Sequence, residues 1–197
     1  LGLPYIQYNG ISVNGLPIAK SILKAFVNPN YTLLFSLTSK DGVPYMLLET
    51  VAIGFLGTLI GMILSVPISF LASRNMFPRW FCSIWILIIT IIRTFPAFVY
   101  GLMFIRVTGP GAFTGVLTLA ITSVGMISKL FIEVIEELDR GIIEALDSMG
   151  CSTLQKIRYG IIPQLMGNFL SITIYRFEIN IKNASILGLV GAGGIGA

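Results

Sequence analysis

Residues 50–73 run for 24 positions without a charged side chain. A helix of that length rises about 36 Å at ~1.5 Å per residue, enough to cross the hydrocarbon core of a bilayer. Three further apolar runs follow. The pattern predicts spans over 81–105, interrupted by Arg93 and Pro96, over 107–128, opening on Gly109-Pro110-Gly111, and over 161–181, with the first span beginning near Tyr45. With 55% hydrophobic and only 11% charged residues, the chain has too little polar surface for a soluble domain of its size. The expected class is therefore all-α, a polytopic helical bundle of about four spans with lipid as its main surroundings. Gly54, Gly57 and Gly61 share one face of the first span and predict a close approach by another helix.

The chain has no histidine, which excludes Ser-His-Asp and Cys-His catalysis and every His-based metal site. Cys82 and Cys151 stand far apart and imply free thiols rather than a disulfide framework. The net charge of +4 is scattered, without the basic run expected of a nucleic-acid binder. No cofactor is expected, and an integral membrane enzyme lacks a nucleophile–base pair.

Between the apolar runs lies one strongly polar stretch, 133–163, rich in Glu, Asp, Lys and Arg. Its punctuation is helical. Gly141 follows the charged pair Asp139-Arg140, Gly150 suits a left-handed C-terminal cap, Ser152 with Gln155 spells a capping box, and Pro163 marks the next break. The stretch reads as two short helices turned at Gly150. The segment 1–44, broken by Asn-Gly and Asn-Pro pairs, reads as an extracytoplasmic loop with short interfacial helices. The short Arg74/Arg79 loop carries only positive charge, so the positive-inside rule puts it in the cytoplasm, and the span count puts 133–163 on the same side.

Charges inside spans have two readings. Arg93 either faces a bundle interior or watery path, or it snorkels or pairs for assembly. Arg176, Glu178 and Lys182 interrupt the fourth span. Glu178 and Lys182 stand at i,i+4 with the acid first, the better order for an ion pair, so they either neutralise each other within the bundle or contribute with Arg176 to a path or gate. The run after Leu189 holds Gly191, Gly193, Gly194 and Gly196. A dinucleotide site would need a strand before it and an acid after it, so these glycines instead suit a tight turn where a span breaks.

Glu144-Ala145-Leu146, then Gly150, then Pro163 resembles the EAA loop of importer-type ABC transporter permeases. Leu146 replaces the second alanine, and Gly160 stands where isoleucine is usual. IIRTFPAFVYGLMF, RYGIIPQ and YRFEINIKNASILGLVGAGGIG, with the apolar phrases before them, extend the resemblance over 47–197 and narrow it to permease subunits of phosphonate-type ABC importers, of the MetI-like fold. The resemblance implies a permease domain over 45–197, a homodimer with a second permease subunit, and a separate ABC ATPase coupled through Glu144, Ala145, Gly150 and Pro163. It also implies an extracytoplasmic solute-binding protein, a multi-pass place among the lipids of a prokaryotic plasma or inner membrane, and no nucleic-acid partner. The solute implied is a phosphonate-like oxyanion, with phosphite, a phosphate ester, a thiamine-like compound or methionine as alternatives. Arg93, Arg176, Glu178, Lys182, Gly191, Gly193 and Gly194 are the candidates for path or gate. A further span at each end is also expected, which would make this sequence incomplete at both.

Overall fold

The computed structural model describes residues 17–18, 20–21, 23–24, 42–138 and 140–195. Those residues form helices and turns and no strand. The chain divides into two compact units, Leu1–Tyr45 and Met46–Ala197. In the first, the described residues between 17 and 24 are helical, and Ser21 Oγ donates 2.8 Å to the Ile18 carbonyl. Of the rest of the expected 1–44 loop, Gly42 is a bend and 43–44 already open a long helix, while 1–16, 19, 22 and 25–41 lie outside the described residues.

From residue 43 onward come α1 (Val43–Ala72), α2 (Arg79–Thr94), α3 (Ala97–Thr108) and α4 (Ala112–Glu136). Then follow α5 (Arg140–Ser148), the single turn α6 (Thr153–Gln155), a π-helical segment (Lys156–Ile161) and α7 (Ile162–Gly188). The expected second span is broken. Phe95 and Pro96 are both extended, as the residue before a proline tends to be, so the helix stops at Thr94 and restarts at Ala97. The two halves meet at 84°. Tyr100 Oη donates 3.1 Å to the Ile92 carbonyl, one of those released where α2 ends. Arg93 thus sits in the last turn of α2, beside the break in the bent pair, where its positive charge complements the negative end of the helix dipole.

The third span also differs from expectation. Val107 and Thr108 belong to α3, and α4 continues past Ser128 to Glu136, carried into the polar stretch by the Lys129–Glu133 pair at 2.9 Å. The fourth runs on to Gly188. By length and composition α1 and α4 qualify as membrane-crossing helices, and the bent pair α2–α3 passes the same test when taken together as one broken span. With 27 residues α7 is long enough as well, about 40 Å at ~1.5 Å per residue; its polar residues lower its hydropathy.

α4 is the hub, packing against α2, α3 and α7. It meets α1 through the predicted glycine face. A Cβ on Gly57 would lie 2.6 Å from Leu119 Cβ, and one on Gly61 would lie 2.5 Å from Ser123 Cβ, so only glycine permits this seam. Gly54 faces Ile181 of α7. At one end of the bundle, Phe131 stacks on Phe169 at 3.9 Å between ring centroids, amid Phe70, Ile127, Ile135 and Leu165. At the other end Ile53, Leu119, Ala184 and Leu187 form a second apolar cluster. Between the two lies a buried polar layer that includes Thr58, Thr122, Ser123, Arg176 and Asn180.

Loop contacts fix which ends go together. The backbone N–H of Arg74 donates 3.0 Å to Glu136 Oε1, and Asn75 Nδ2 donates to the Ile135 and Glu136 carbonyls. The Arg74 loop therefore adjoins the α4 end that leads into 133–163. Gly61→Ala is expected to destabilise the full-length subunit by about 1–3 kcal/mol through overpacking. Gly167→Ala, where a Cβ meets nothing within 4 Å, is the control and should leave the melting temperature in detergent no lower than that of the parent.

Candidate functional site

Two places carry the polar chemistry, and each grows from a local sequence signal. The first is the turn in 133–163. α5 ends in a Schellman motif: Cys151 N donates 3.1 Å to the Leu146 carbonyl, and Gly150 N donates 2.9 Å to that of Asp147. Gly150 takes φ +72°, the left-handed conformation that side chains resist. The next helix opens on the predicted capping box, with Gln155 N donating to Ser152 Oγ and Ser152 N donating 2.8 Å to Gln155 Oε1. Lys156 pairs with Asp147 across the turn. Glu144 and Ala145 are exposed on α5. The same stretch exposes Met149, Leu154 and Tyr159, at 69%, 79% and 70%, an apolar contribution on a polar element. The sequence reading named the polar and glycine positions but not these three, which show no period of their own.

Pro163 does not break the chain. It lies in the first turn of α7, where a missing N–H costs little, and the π-helical segment runs straight into it. The two departures from the EAA pattern meet in space. The space a Gly160 side chain would fill is occupied by Leu146 Cδ1. A large residue in place of a small one is offset by a small one in place of a large one, and the turn keeps its packing.

The second place is the polar layer on α4. Thr118, Thr122 and Ser123 line its face toward α7, and Thr122 Oγ1 donates 3.0 Å to the Thr118 carbonyl. Arg176, 5% exposed, reaches into this face. Its Nε donates 3.1 Å to Ser123 Oγ, one terminal nitrogen 3.3 Å to Thr122 Oγ1, and the other 2.9 Å to Met126 Sδ. Asn180, one turn on and fully buried, donates to Thr58 Oγ1 at 2.8 Å and Ser123 Oγ at 2.7 Å. Among the described residues the partners of Arg176 are all neutral, and no acid pairs with its charge. Asn180, Thr122, Ser123 and Thr58 were missed in the sequence. Thr118-Thr122, an i,i+4 pair of hydroxyls in an apolar helix, was the available signal.

Arg176 and Arg93 line one surface-opening cavity of about 190 Å³, with Thr122, Met126 and Asn183 among the other lining residues and no acid among them. Glu178 and Lys182 do not join them. They pair at 2.7 Å, 64% and 69% exposed, on another face of α7, so their neutralisation takes place on the surface of this chain rather than inside its bundle. Gly191, Gly193 and Gly194 are elsewhere too. They take φ +90°, +79° and +81° in a turn that folds back on the starts of α1 and α4, where Gly191 accepts 2.8 Å from Gly111 N and Ile195 N donates 2.8 Å to Thr50 Oγ1. The thiols are free, Cys82 buried and Cys151 partly exposed.

Comparison with known proteins places this architecture. A family model described as "Binding-protein-dependent transport system inner membrane component" matches residues 57–197. The "Putative phosphite transport system permease protein HtxC" of Stutzerimonas stutzeri is 38% identical over 149 residues, 75% of this chain and 53% of that protein. The "Phosphite transport system permease protein PtxC" of the same organism is 32% identical over 185 residues, 93% of this chain and 65% of that protein. The chain thus spans between half and two thirds of the length of these relatives. In a solved structure of the inward facing MetNI methionine ABC transporter, one chain shares the fold with a TM-score of 0.72 at 20% identity, over 78% of this chain and 76% of that one.

The Leu146–Gly160 exchange yields a double-mutant prediction. Gly160→Ile alone is expected to strain the turn by about 1–3 kcal/mol, and Leu146→Ala with Gly160→Ile to recover most of that. Hydrogen exchange at the Gly150 and Cys151 amides reads the result. Protection should fall in the single variant and return in the double.

Proposed function

Because this chain belongs to the binding-protein-dependent transport system inner membrane component family, we propose that it is the membrane-spanning permease subunit of an ATP-driven importer of a phosphonate-like oxyanion. The observation that carries the solute class is the acid-free cavity lined by Arg93 and Arg176. A guanidinium presents a planar fork of donors that fits an oxyanion in bidentate fashion, and its charge persists at every physiological pH. The relatives named for phosphite transport agree with that chemistry. Phosphite, a phosphonate and a phosphate ester bring such an oxyanion with a net negative charge; methionine's carboxylate is balanced by its own ammonium group, and thiamine is a cation.

In this reading two copies of the permease form the path in a prokaryotic plasma membrane, an extracytoplasmic binding protein delivers the solute, and a separate ATPase hydrolyses ATP. The docking element is α5 with its Gly150 turn. Glu144 and Ala145 lie on its exposed face, while Met149 and Leu154 supply an apolar tip for a cleft in the ATPase. Gly150 sets the turn, and Pro163 opens the helix that carries the displacement into the bundle. A rigid element held in two positions transmits a bias between distant sites. The Arg74–Glu136 contact at the base of α4 ties the neighbouring loop to the same movement. The segment 1–44 is the extracytoplasmic part and 45–197 the permease domain.

The test uses the full-length gene, co-expressed with its neighbouring ATPase and binding protein and reconstituted in liposomes. ATP hydrolysis should rise with phosphite, a phosphonate or a phosphate ester, and Gly150→Asp should abolish that rise by preventing the Schellman turn. Stimulation by methionine or thiamine instead would overturn the solute class. Hydrolysis indifferent to Gly150→Asp would overturn the docking role.

A further inference from the structure

Arg93 lines two cavities rather than one. Besides the cavity it shares with Arg176, it borders a second of about 210 Å³ with Arg74, Lys129 and Glu136. The two are stacked along α4, the first against Thr122 and Met126, the second against Lys129, Ile132 and Glu136. From Thr122 to Glu136 the helix rises about 21 Å at ~1.5 Å per residue. Arg93 stands between them. Its Cγ would lie 2.9 Å from a Cβ on Gly125, so its stem crosses α4 where that helix has no side chain, three residues past Thr122 and four before Lys129. The Arg93 side chain is exposed, and among the described residues no hydrogen bond or ion pair holds its guanidinium.

The electrostatics of the two cavities differ in a consistent direction. The first holds two guanidinium groups and no acid. In the second Glu136 is part of the lining, and Lys129 is already paired with Glu133 at 2.9 Å, so its pull on an anion is weaker. The second cavity also lies at the Arg74 end of the bundle, beside the loop that leads into the docking element. Conduction requires a site strong enough to receive an ion and a following site weak enough to release it.

We propose that Arg93 hands a tetrahedral oxyanion from the cavity it shares with Arg176 to the cavity it shares with Arg74 and Lys129, so that the solute moves along α4 in two steps. This rests on the reading of the chain as an oxyanion importer and adds the route. Arg176, locked by three neutral partners, is the fixed receiving charge. Arg93, its stem against Gly125 and its tip without a hydrogen bond or ion pair among the described residues, is the moving one. Arg74 and Lys129, partly offset by Glu136 and Glu133, make the releasing site.

The test places a cysteine at the shared position. In the full-length permease with Cys82→Ser and Cys151→Ser, reconstituted with its ATPase and binding protein, the uptake of labelled phosphite and of methylphosphonate is measured with and without Arg93→Cys. Uptake should fall about tenfold or more, the effect of losing one charge-assisted contact. Modification with an aminoethyl methanethiosulfonate restores a positive tip and should recover most of the rate, while the sulfonatoethyl reagent, which adds a negative tip, should not. Arg93→Lys is a second arm and should keep more activity than Arg93→Gln. Wild-type rates in Arg93→Cys, or equal recovery with both reagents, would overturn the hand-over while leaving oxyanion import standing. Vesicles of the parent protein that move neither anion would overturn both.

Discussion

A guanidinium buried in the bundle, with no acid among its partners in the described residues, governs the rest of the structure. Removing a charge from water is costly, and among the described residues Ser123, Thr122 and Met126 offset the Arg176 charge. That requires α4 to present small polar side chains where a membrane helix would ordinarily present leucine. It requires α7 to lie close enough for hydrogen bonds of about 3 Å. It also requires α1 to close the other side of α4, which the Gly57 and Gly61 contacts achieve. The buried polar layer is therefore a single arrangement of three helices, flanked at each end by an apolar cluster.

Around that layer the chain keeps two functions apart. The charges that meet a solute line cavities along α4, whereas the element suited to meet another protein sits beyond its end, in α5 and the Gly150 turn. The two are joined by continuous helix: the π-helical segment runs into α7, and α7 carries Arg176. A displacement at the turn has a stiff path to the polar layer. The π segment lengthens the turn just before Pro163, which has no N–H to give, and so lets the helix pass a residue that elsewhere would interrupt it.

Much of this was legible in the sequence because it is local. Charge-free runs identify the solvent of α1 and α4, Pro96 with the residue before it dictates the break in the second span, and Ser152, Gln155 and Gly150 spell the turn. Other features were out of reach. That Arg176 is buried while Glu178 is exposed follows from rotation about the helix, about 100° per residue, against a neighbour that sequence does not display. Read along the chain, Arg176, Glu178 and Lys182 form one group; in space they separate into a locked cation and a surface pair.

The sequence by itself determined that this chain is a helical membrane protein of the transport family it resembles, and that its longest polar stretch is a two-helix turn, since backbone propensity, apolar length and capping act over a few residues. Only the tertiary structure decided that Arg93 and Arg176, 83 positions apart, border one cavity, and that Leu146 fills the space left by Gly160. Both depend on which side chains meet across helices. That is set by complementarity of volume and by satisfaction of buried polar groups, quantities that belong to pairs of surfaces and not to any stretch of chain.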